Sequence, residues 1–220
     1  MSVCNVAFEA DTVRLLTDTM NYCDGKPVAL SRHKTEVAPS GRFAWACRGN
    51  VYLSNVVDCL LNEAGTIDEV EAQAAKLEPL IDPEIMALAQ NVEITAAGWS
   101  DQRNDLRLIR IKIRPAVFGV AEIGRGVHMA PAPEASRVQL PATVTDDQFI
   151  RLALAQWKVQ GKFKAPLCIG GVMHQTTVSK AGVERRMVAL YPDYDAHAAK
   201  LGDPNAEEVR AFRAQARAAA

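Results

Sequence analysis

The sequence lacks the features that would mark it as a nucleic-acid-binding, membrane or secreted protein. It contains no basic block, and its 25 Lys and Arg residues nearly balance its 26 Asp and Glu residues, so neither nucleic acid nor a membrane surface is an expected partner. No apolar run approaches the roughly 18 residues of a membrane-spanning helix. The first residues also lack the basic start and apolar core of a signal peptide. We therefore expect a cytoplasmic protein.

Metal and cofactor motifs are missing as well. The five cysteines are an odd number without a CxxC pair, and the four histidines are scattered without metal-ligand spacing. The stretch Gly119–Gly126 lacks the GK[ST] ending of a phosphate-binding loop and the spacing of a dinucleotide fingerprint. We predict a tight turn leading into a helix there, and we expect no disulfide framework, no metal and no cofactor.

What the sequence does contain is an ordinary globular composition. Its 220 residues are 49% hydrophobic and 23% charged, which suits one domain with a sizeable core. We predict a single domain over residues 1–192. A polar, Ala-rich helical extension, packed on that domain or projecting from it, follows over residues 193–220.

Short spacings between predicted strands indicate hairpins and therefore antiparallel sheets. Val3–Phe8 and Thr12–Leu16 form the first predicted hairpin, and Asp18 falls just past its end. Asp24, Gly25 and Pro27 then mark a turn or protruding loop. Further predicted strands are FAWAC, the pair VEITAAGWS and LRLIRIKI around a polar turn, AVFGVAEIG, and a last hairpin of LCIGGVMHQTTVS and VERRMVALY.

Apolar residues at helical spacing predict three further helices. The first, VYLSNVVDCLLNEAG, is closed by Gly65, and the second, in TIDEVEAQAAKLEPLI, begins with a capping box of Thr66 and Glu69. The third, TDDQFIRLALAQWKVQG, has Thr145 or Asp146 as its cap. Runs of hairpins alternating with helices predict an α+β fold, a four-layer αββα sandwich of two stacked antiparallel sheets.

The most informative residue is Ser2, directly behind Met1. A small second residue favours removal of the initiator Met, which would leave Ser2 with a free α-amine. A serine hydroxyl is a weak nucleophile without an adjacent base, and an α-amine with a pKa of about 7.7–8.0 can be that base. The first hairpin returns toward its start near Asp18, so Asp18 and Lys34, in the stretch HKTEVAP, can meet beside the terminus.

These residues resemble, in type and spacing, the proteasome β-subunit family of N-terminal-nucleophile (Ntn) hydrolases, which includes bacterial proteasome-like peptidases. That family has a terminal Thr, an Asp in an [AS]-D-[ST] turn, matched here by TDT around Asp18, and a Lys on a following strand. The stretch ACRGNVYLSN resembles the family's A-G-x-x-x-D turn, and IGGVMHQTTVSKAGV resembles its last hairpin. The order of elements matches up to Tyr191.

The resemblance implies a peptidase in which Ser2 attacks a carbonyl and its own amine takes the proton. Lys34, fixed by Asp18, would lower the pKa of the nucleophile, and the Gly49 N–H would stabilise the oxyanion. The substrate would be a peptide or unfolded protein, and the chain would assemble into a homo-oligomeric ring or spiral. Any ATP dependence would reside in a partner ATPase unfoldase, since the chain has no nucleotide motif.

Three departures from the family pattern bear on activity. The terminal residue is Ser instead of Thr, Arg125 stands where the family has a Ser, and Pro166 and Ile169 stand where an acid and a Ser flank the amine. Two alternatives stay open, namely a catalytically inactive ring-forming subunit and an Ntn amidohydrolase that is not a peptidase. Cys4, which shares a strand face with Ser2, is the rival nucleophile.

Overall fold

The computed structural model describes residues 3–49, 51–80, 92–114, 117–132, 142–162 and 168–218, which contain twelve strands and five helices. The strands are β1 (Cys4–Phe8), β2 (Val13–Asp18), β3 (Met20–Cys23), β4 (Lys26–Leu30), β5 (Thr35–Val37), β6 (Phe43–Arg48), β7 (Val92–Ser100), β8 (Asp105–Arg114), β9 (Val117–Glu122), β10 (Gly126–His128), β11 (Val172–Ser179) and β12 (Gly182–Leu190). The helices are α1 (Val51–Asn62), α2 (Val70–Leu80), α3 (Asp146–Lys158), α4 (Tyr194–Leu201) and α5 (Ala206–Ala218).

The strands form two five-stranded antiparallel sheets and one two-stranded ribbon. The first sheet has the order β10-β1-β2-β11-β12, the second has the order β5-β6-β7-β8-β9, and β3 pairs with β4. Every pair is antiparallel. The predicted α+β class with antiparallel sheets is therefore confirmed.

The two large sheets pack face to face through small and branched side chains. Val6 and Leu15 of the first sheet share an apolar cluster with Ala46, Ala97 and Leu108 of the second. Leu15 and Leu108 are completely buried, and burial of such a side chain contributes about 1.5–3 kcal/mol. The contact follows from strand alternation, which gives each sheet an apolar face toward the other.

Helices cover the opposite faces of both sheets. Trp45 and Ile94 of the second sheet pack with Val57 of α1 and with Val70 and Ala74 of α2. On the first sheet, Ala7 and Leu16 pack with Phe149 and Ala153 of α3. The C-terminal helices lie elsewhere: Tyr194 of α4 and Val209 of α5 are buried against Met20, Leu30 and Cys168.

The first hairpin forms as predicted, but its second strand is longer. β1 pairs with β2 in the register Cys4↔Thr17 to Phe8↔Val13, and Asp18 is the last residue of β2 instead of lying beyond it. The predicted turn at Asp24-Gly25 joins β3 to β4, with positive φ angles of 48° and 74° at its two residues. Such angles suit a tight two-residue hairpin turn.

One of the two helix caps forms as predicted and the other does not. At the start of α3, the Thr145 hydroxyl accepts the N–H of Gln148, and the Gln148 side chain accepts the N–H of Thr145. The capping box at Thr66 and Glu69 is wrong, since the Thr66 side chain makes no cap bond and a short 3-10 turn precedes α2. The Glu69 carboxylate instead accepts the N–H of Gly65 at 2.8 Å.

The predicted turn into a helix over Gly119–Gly126 is also wrong. β9 runs to Glu122, and residues 126–128 form β10, which pairs with β1 through Val6↔His128. These three residues form a strand because they pair with β1 at the edge of the sheet. Their own composition does not predict a strand. Two helices, α4 and α5, lie within residues 193–220, where a helical extension was predicted. Most of the predicted proline-rich loop APAPEASRVQLPATV lies outside the described residues.

None of the helices in the described residues has the length and apolar character that crossing a membrane requires.

Candidate functional site

The Asp18 carboxylate lies at the end of β2 and is completely buried. Its Oδ1 accepts the N–H of Val3 at 2.9 Å, and its Oδ2 accepts the N–H of Met20 at 3.2 Å. The Val3 nitrogen belongs to the peptide bond that joins Val3 to Ser2. One carboxylate therefore fixes the start of β1 and the turn after β2 at the same place.

Lys34 brings a positive charge to this carboxylate. Its Nζ lies 3.3 Å from Asp18 Oδ2 and donates a second hydrogen bond to the carbonyl oxygen of Met20. The lysine side chain is only 10% exposed, and burial lowers its pKa below the ordinary value, while Asp18 counteracts that shift. A buried ammonium with a lowered pKa can take part in proton transfer or lower the pKa of a neighbouring hydroxyl.

The meeting of Asp18 with Lys34 depends on a contact between the two sheets. The hydroxyls of Thr17 in β2 and Thr35 in β5 lie 3.4 Å apart. Asp18 directly follows Thr17 in the chain, and Lys34 directly precedes Thr35. The contact between the two threonines therefore helps to bring Asp18 and Lys34 together. Since β2 belongs to the first sheet and β5 to the second, the ion pair bridges the sandwich at one end.

The other two predicted site residues are not joined to this pair by a described contact. Ser2 lies outside the described residues. Gly49 is exposed, follows β6 directly and has φ +126°, a backbone conformation that favours glycine. Its role as an oxyanion donor stays a prediction.

Gly170 and Gly171 lie against Thr19, the residue that follows Asp18. The N–H of Thr19 donates to the carbonyl of Gly170 at 3.3 Å, and the Thr19 hydroxyl accepts the N–H of Val172 at 2.9 Å. Gly171 has φ +83°, and a Cβ placed on it would lie 2.3 Å from the Thr19 Oγ1. Glycine is therefore required at 171 both for conformation and for the close approach of β11 to Thr19.

Two of the residues that depart from the family pattern, Arg125 and Ile169, lie within the described residues. Arg125 lies at the far end of β1 from Asp18, where it bonds the carbonyl of Glu9 and the carboxylate of Asp105, each at 2.7 Å. Ile169 is buried in an apolar cluster with Val3, and its N–H donates to Gln160. Pro166 lies outside the described residues.

Sequence reasoning missed two polar residues in the same neighbourhood, Tyr191 and Asp193. Tyr191 is 2% exposed and packs with Val3, and its N–H donates to the carbonyl of Gly171 at 3.0 Å. Asp193 lies against Gly170, where an added Cβ would be 3.4 Å from Asp193 Oδ1. The stretch LYPDYD carries no motif, so only the return of β12 along β11 reveals this proximity.

Cys4, the rival nucleophile, is inert in this fold. Its side chain is 2% exposed and lies in the cluster between the sheets. Burial raises the pKa of its thiol to about 11. Because the thiolate is the reactive form of cysteine, almost none is present near neutral pH.

The described residues contain no group of three or more His, Cys, Asp or Glu side chains arranged to hold a metal ion. No protein-family model matches the chain, and no curated protein matches it in sequence.

Proposed function

We propose that the chain is a proteasome-like peptidase of the Ntn-hydrolase class, with Ser2 as its nucleophile after removal of Met1. The observation that carries the proposal is the buried contact of Lys34 Nζ with Asp18 Oδ2, made by the same carboxylate that holds the Val3 N–H. Ser2 is bonded to that nitrogen. We therefore propose that the Ser2 hydroxyl meets Lys34 beside this carboxylate.

Each residue has a distinct part in the proposed reaction. The Ser2 Oγ attacks the substrate carbonyl while its proton passes to the Ser2 α-amine, directly or through a water. Lys34 lowers the pKa of the hydroxyl by its charge, and Asp18 holds Lys34 in place. The Gly49 N–H receives the oxyanion. The proton then leaves with the amine product, and water releases the acyl group from Ser2.

The arrangement of the sheets also supports the proposal. Two antiparallel five-stranded sheets pack face to face with helices on both outer faces, as expected for a four-layer αββα Ntn hydrolase. A fold by itself does not assign a function, because one architecture hosts many chemistries. The buried Asp18–Lys34 pair is what favours a hydrolase over a ring subunit without a site.

The proposal extends to assembly and substrate. We propose a self-compartmentalised homo-oligomer, a ring or spiral, that cleaves peptides or unfolded proteins. An ATPase unfoldase is the partner that would deliver folded substrates to it.

Intact-protein mass spectrometry tests the proposal. The purified protein is measured before and after incubation with a peptide epoxyketone, together with the variants Ser2→Ala and Lys34→Ala. Exposed Lys200 on α4 gives the matched control, Lys200→Ala. We expect loss of Met1 and one adduct per chain in the wild type and in the control, and no adduct in either site variant.

A retained Met1 without an adduct would overturn the peptidase proposal and leave a non-catalytic ring subunit. An adduct accompanied by hydrolysis of small amides but not of peptides would instead identify an amidohydrolase.

A further inference from the structure

Two buried polar atoms beside the Asp18–Lys34 pair have no hydrogen-bond partner within the described part of the chain. They are the hydroxyl of Tyr191 and the Oδ1 of Asp193. A buried polar atom without a partner costs about 1–3 kcal/mol. Tyr191 interacts electrostatically with both Asp18 and Asp193, so the two unpartnered atoms share one neighbourhood in which a ligand group could bind them.

Three segments hold these atoms near Asp18. Thr19 is bonded to Gly170, and Tyr191 is bonded to Gly171 by its N–H at 3.0 Å. Asp193 lies beside Gly170, where an added Cβ would be 3.4 Å from Asp193 Oδ1. The Tyr191 ring packs in the same cluster as Val3, the residue whose N–H Asp18 holds.

The charge around these atoms is negative. Burial raises the pKa of Tyr191 well above its ordinary value, and the carboxylates of Asp18 and Asp193 raise it further. Asp18 is neutralised by Lys34, whereas Asp193 Oδ2 accepts the indole N–H of Trp157 at 3.0 Å. His197 Nε2 lies 3.4 Å from the same Oδ2, and Oδ1 is the carboxylate oxygen nearer to Gly170.

We infer that the Tyr191 hydroxyl and Asp193 Oδ1 accept hydrogen bonds from a protonated amine at the site. Only a donor satisfies a carboxylate oxygen, and a cationic donor matches the local charge. The inference rests on the proposed function, which supplies two sources of such an amine. One is the α-amine of Ser2 after Met1 removal, and the other is the free amino terminus of a short peptide substrate.

If the amine is that of Ser2, Tyr191 and Asp193 are positioning residues. They orient the amine toward the Ser2 hydroxyl and stabilise the ammonium that forms when the amine takes the hydroxyl proton, as a carboxylate stabilises the imidazolium of a catalytic triad. No proton moves to Asp193 in this step. Since the neutral amine is the base, the rate of acylation should rise with pH through the pKa of the amine.

The test compares Asp193→Asn and Tyr191→Phe with two controls. Trp157→Phe removes the hydrogen bond from the indole N–H to Asp193 Oδ2 and leaves the carboxylate itself unchanged. Tyr194→Phe removes a buried tyrosine hydroxyl that is bonded to Asp203 instead. The rate of adduct formation is measured from pH 5 to pH 9 with an N-acetylated peptide epoxyketone and with the same probe carrying a free amino terminus. Circular dichroism confirms folding.

With the Ser2 amine as ligand, Asp193→Asn lowers the pKa of the amine and moves the rising limb by about one pH unit toward acid for both probes. Tyr191→Phe shifts the limb in the same direction, and both controls match the wild type. With the substrate amine as ligand, the variants lose at least about fivefold in rate only with the free-amino probe.

Folded variants with wild-type rates and pH profiles for both probes would overturn the inference while the proposed function stands. A wild-type protein that forms no adduct would overturn the proposed function and, with it, this inference.

Discussion

At the scale of single residues, the Asp18 carboxylate both holds the backbone and pairs with a charged side chain. It accepts two backbone N–H groups, of Val3 and Met20, and it pairs with buried Lys34. Removing one partner of a buried pair leaves the other charge uncompensated, which is the costly case. The pair is therefore a sensitive point for stability as well as for the proposed chemistry.

We predict that Asp18→Asn lowers the free energy of unfolding by about 3–5 kcal/mol, because Lys34 loses its counter-charge and one backbone N–H loses its acceptor. Lys34→Met should cost less, since Asp18 keeps both N–H bonds. The double variant should cost less than the sum of the two. Urea unfolding of all four proteins measures this cycle, and strictly additive losses would show that the pair is not coupled.

Gly171 is the second residue at which a substitution is expected to change stability strongly. It has φ +83°, and a Cβ would meet the Thr19 hydroxyl at 2.3 Å. Gly202 has a similar φ of +80° but open space around it. We predict that Gly171→Ala costs about 3 kcal/mol or more in unfolding free energy and that Gly202→Ala costs about 1 kcal/mol. Equal losses in thermal or urea unfolding would mean that the contact with Thr19 relaxes freely.

At the scale of elements, the two helix starts with threonine form a natural comparison. Thr145 caps α3 through its side chain, whereas the Thr66 side chain makes no cap bond at the 3-10 turn before α2. We predict that Thr145→Ala lowers the unfolding free energy by about 1 kcal/mol. Thr66→Ala should cost less than half as much. A larger loss for Thr66→Ala in urea unfolding would contradict this assignment of caps.

The contact of β11 with α5 is expected to depend on pH. His174 is 2% exposed, and its Nε2 lies 3.2 Å from Glu208 of α5. Burial lowers the pKa of His174, Glu208 raises it, and Arg185 and His33 lower it. The unfolded chain therefore binds a proton below pH 6.5 that the folded protein resists, so stability should fall as the pH drops through that range.

We predict that the wild type loses more unfolding free energy between pH 7.5 and pH 5 than His174→Gln does. Glu208→Gln should steepen the loss, because it removes the group that favours protonated His174. Urea midpoints at a series of pH values measure the difference. The same pH slope in wild type and His174→Gln would show that His174 titrates alike in both states.

The elements that the sequence predicts well are those with local signals. The hairpins of β1 with β2, β7 with β8 and β11 with β12 follow from strand alternation around polar turns, and α3 follows from its cap and apolar spacing. β10 and the end of β2 were not predictable in this way, because pairing with neighbouring strands decides them. The capping box at Thr66 failed because Glu69 bonds the preceding residue, Gly65.

The residues of the candidate site show the same division between those with a local sequence signal and those without one. Asp18 and Lys34 are close in sequence and flank a hairpin, so their meeting could be predicted from the turn geometry of a short stretch. Tyr191 and Asp193 reach the site only through the long return of β11 and β12. Nothing in the local sequence of either residue indicates that it lies beside the glycine pair Gly170–Gly171.

At the scale of the whole molecule, the proposed assembly gives a direct expectation. A single chain has a mass of 23.9 kDa, and we predict that the purified protein has a native mass many times larger. Analytical ultracentrifugation or mass photometry measures it. Val117 on β9 and Val28 on β4, exposed by 54% and 52%, are candidates for burial between copies. A native mass of one chain would contradict the proposed compartment.

The order of strands in the first sheet has a consequence for biosynthesis. β2 lies between β1, which directly precedes it in the chain, and β11, which follows it much later. Since a ribosome delivers the amino-terminal part first, the edge of β2 that pairs with β11 stays unpaired until residues 173–178 have emerged. Under the proposed function, a stalled or truncated nascent chain would hold the serine and the lysine without a completed sheet. The architecture would thus delay proteolytic competence until β11 has been made.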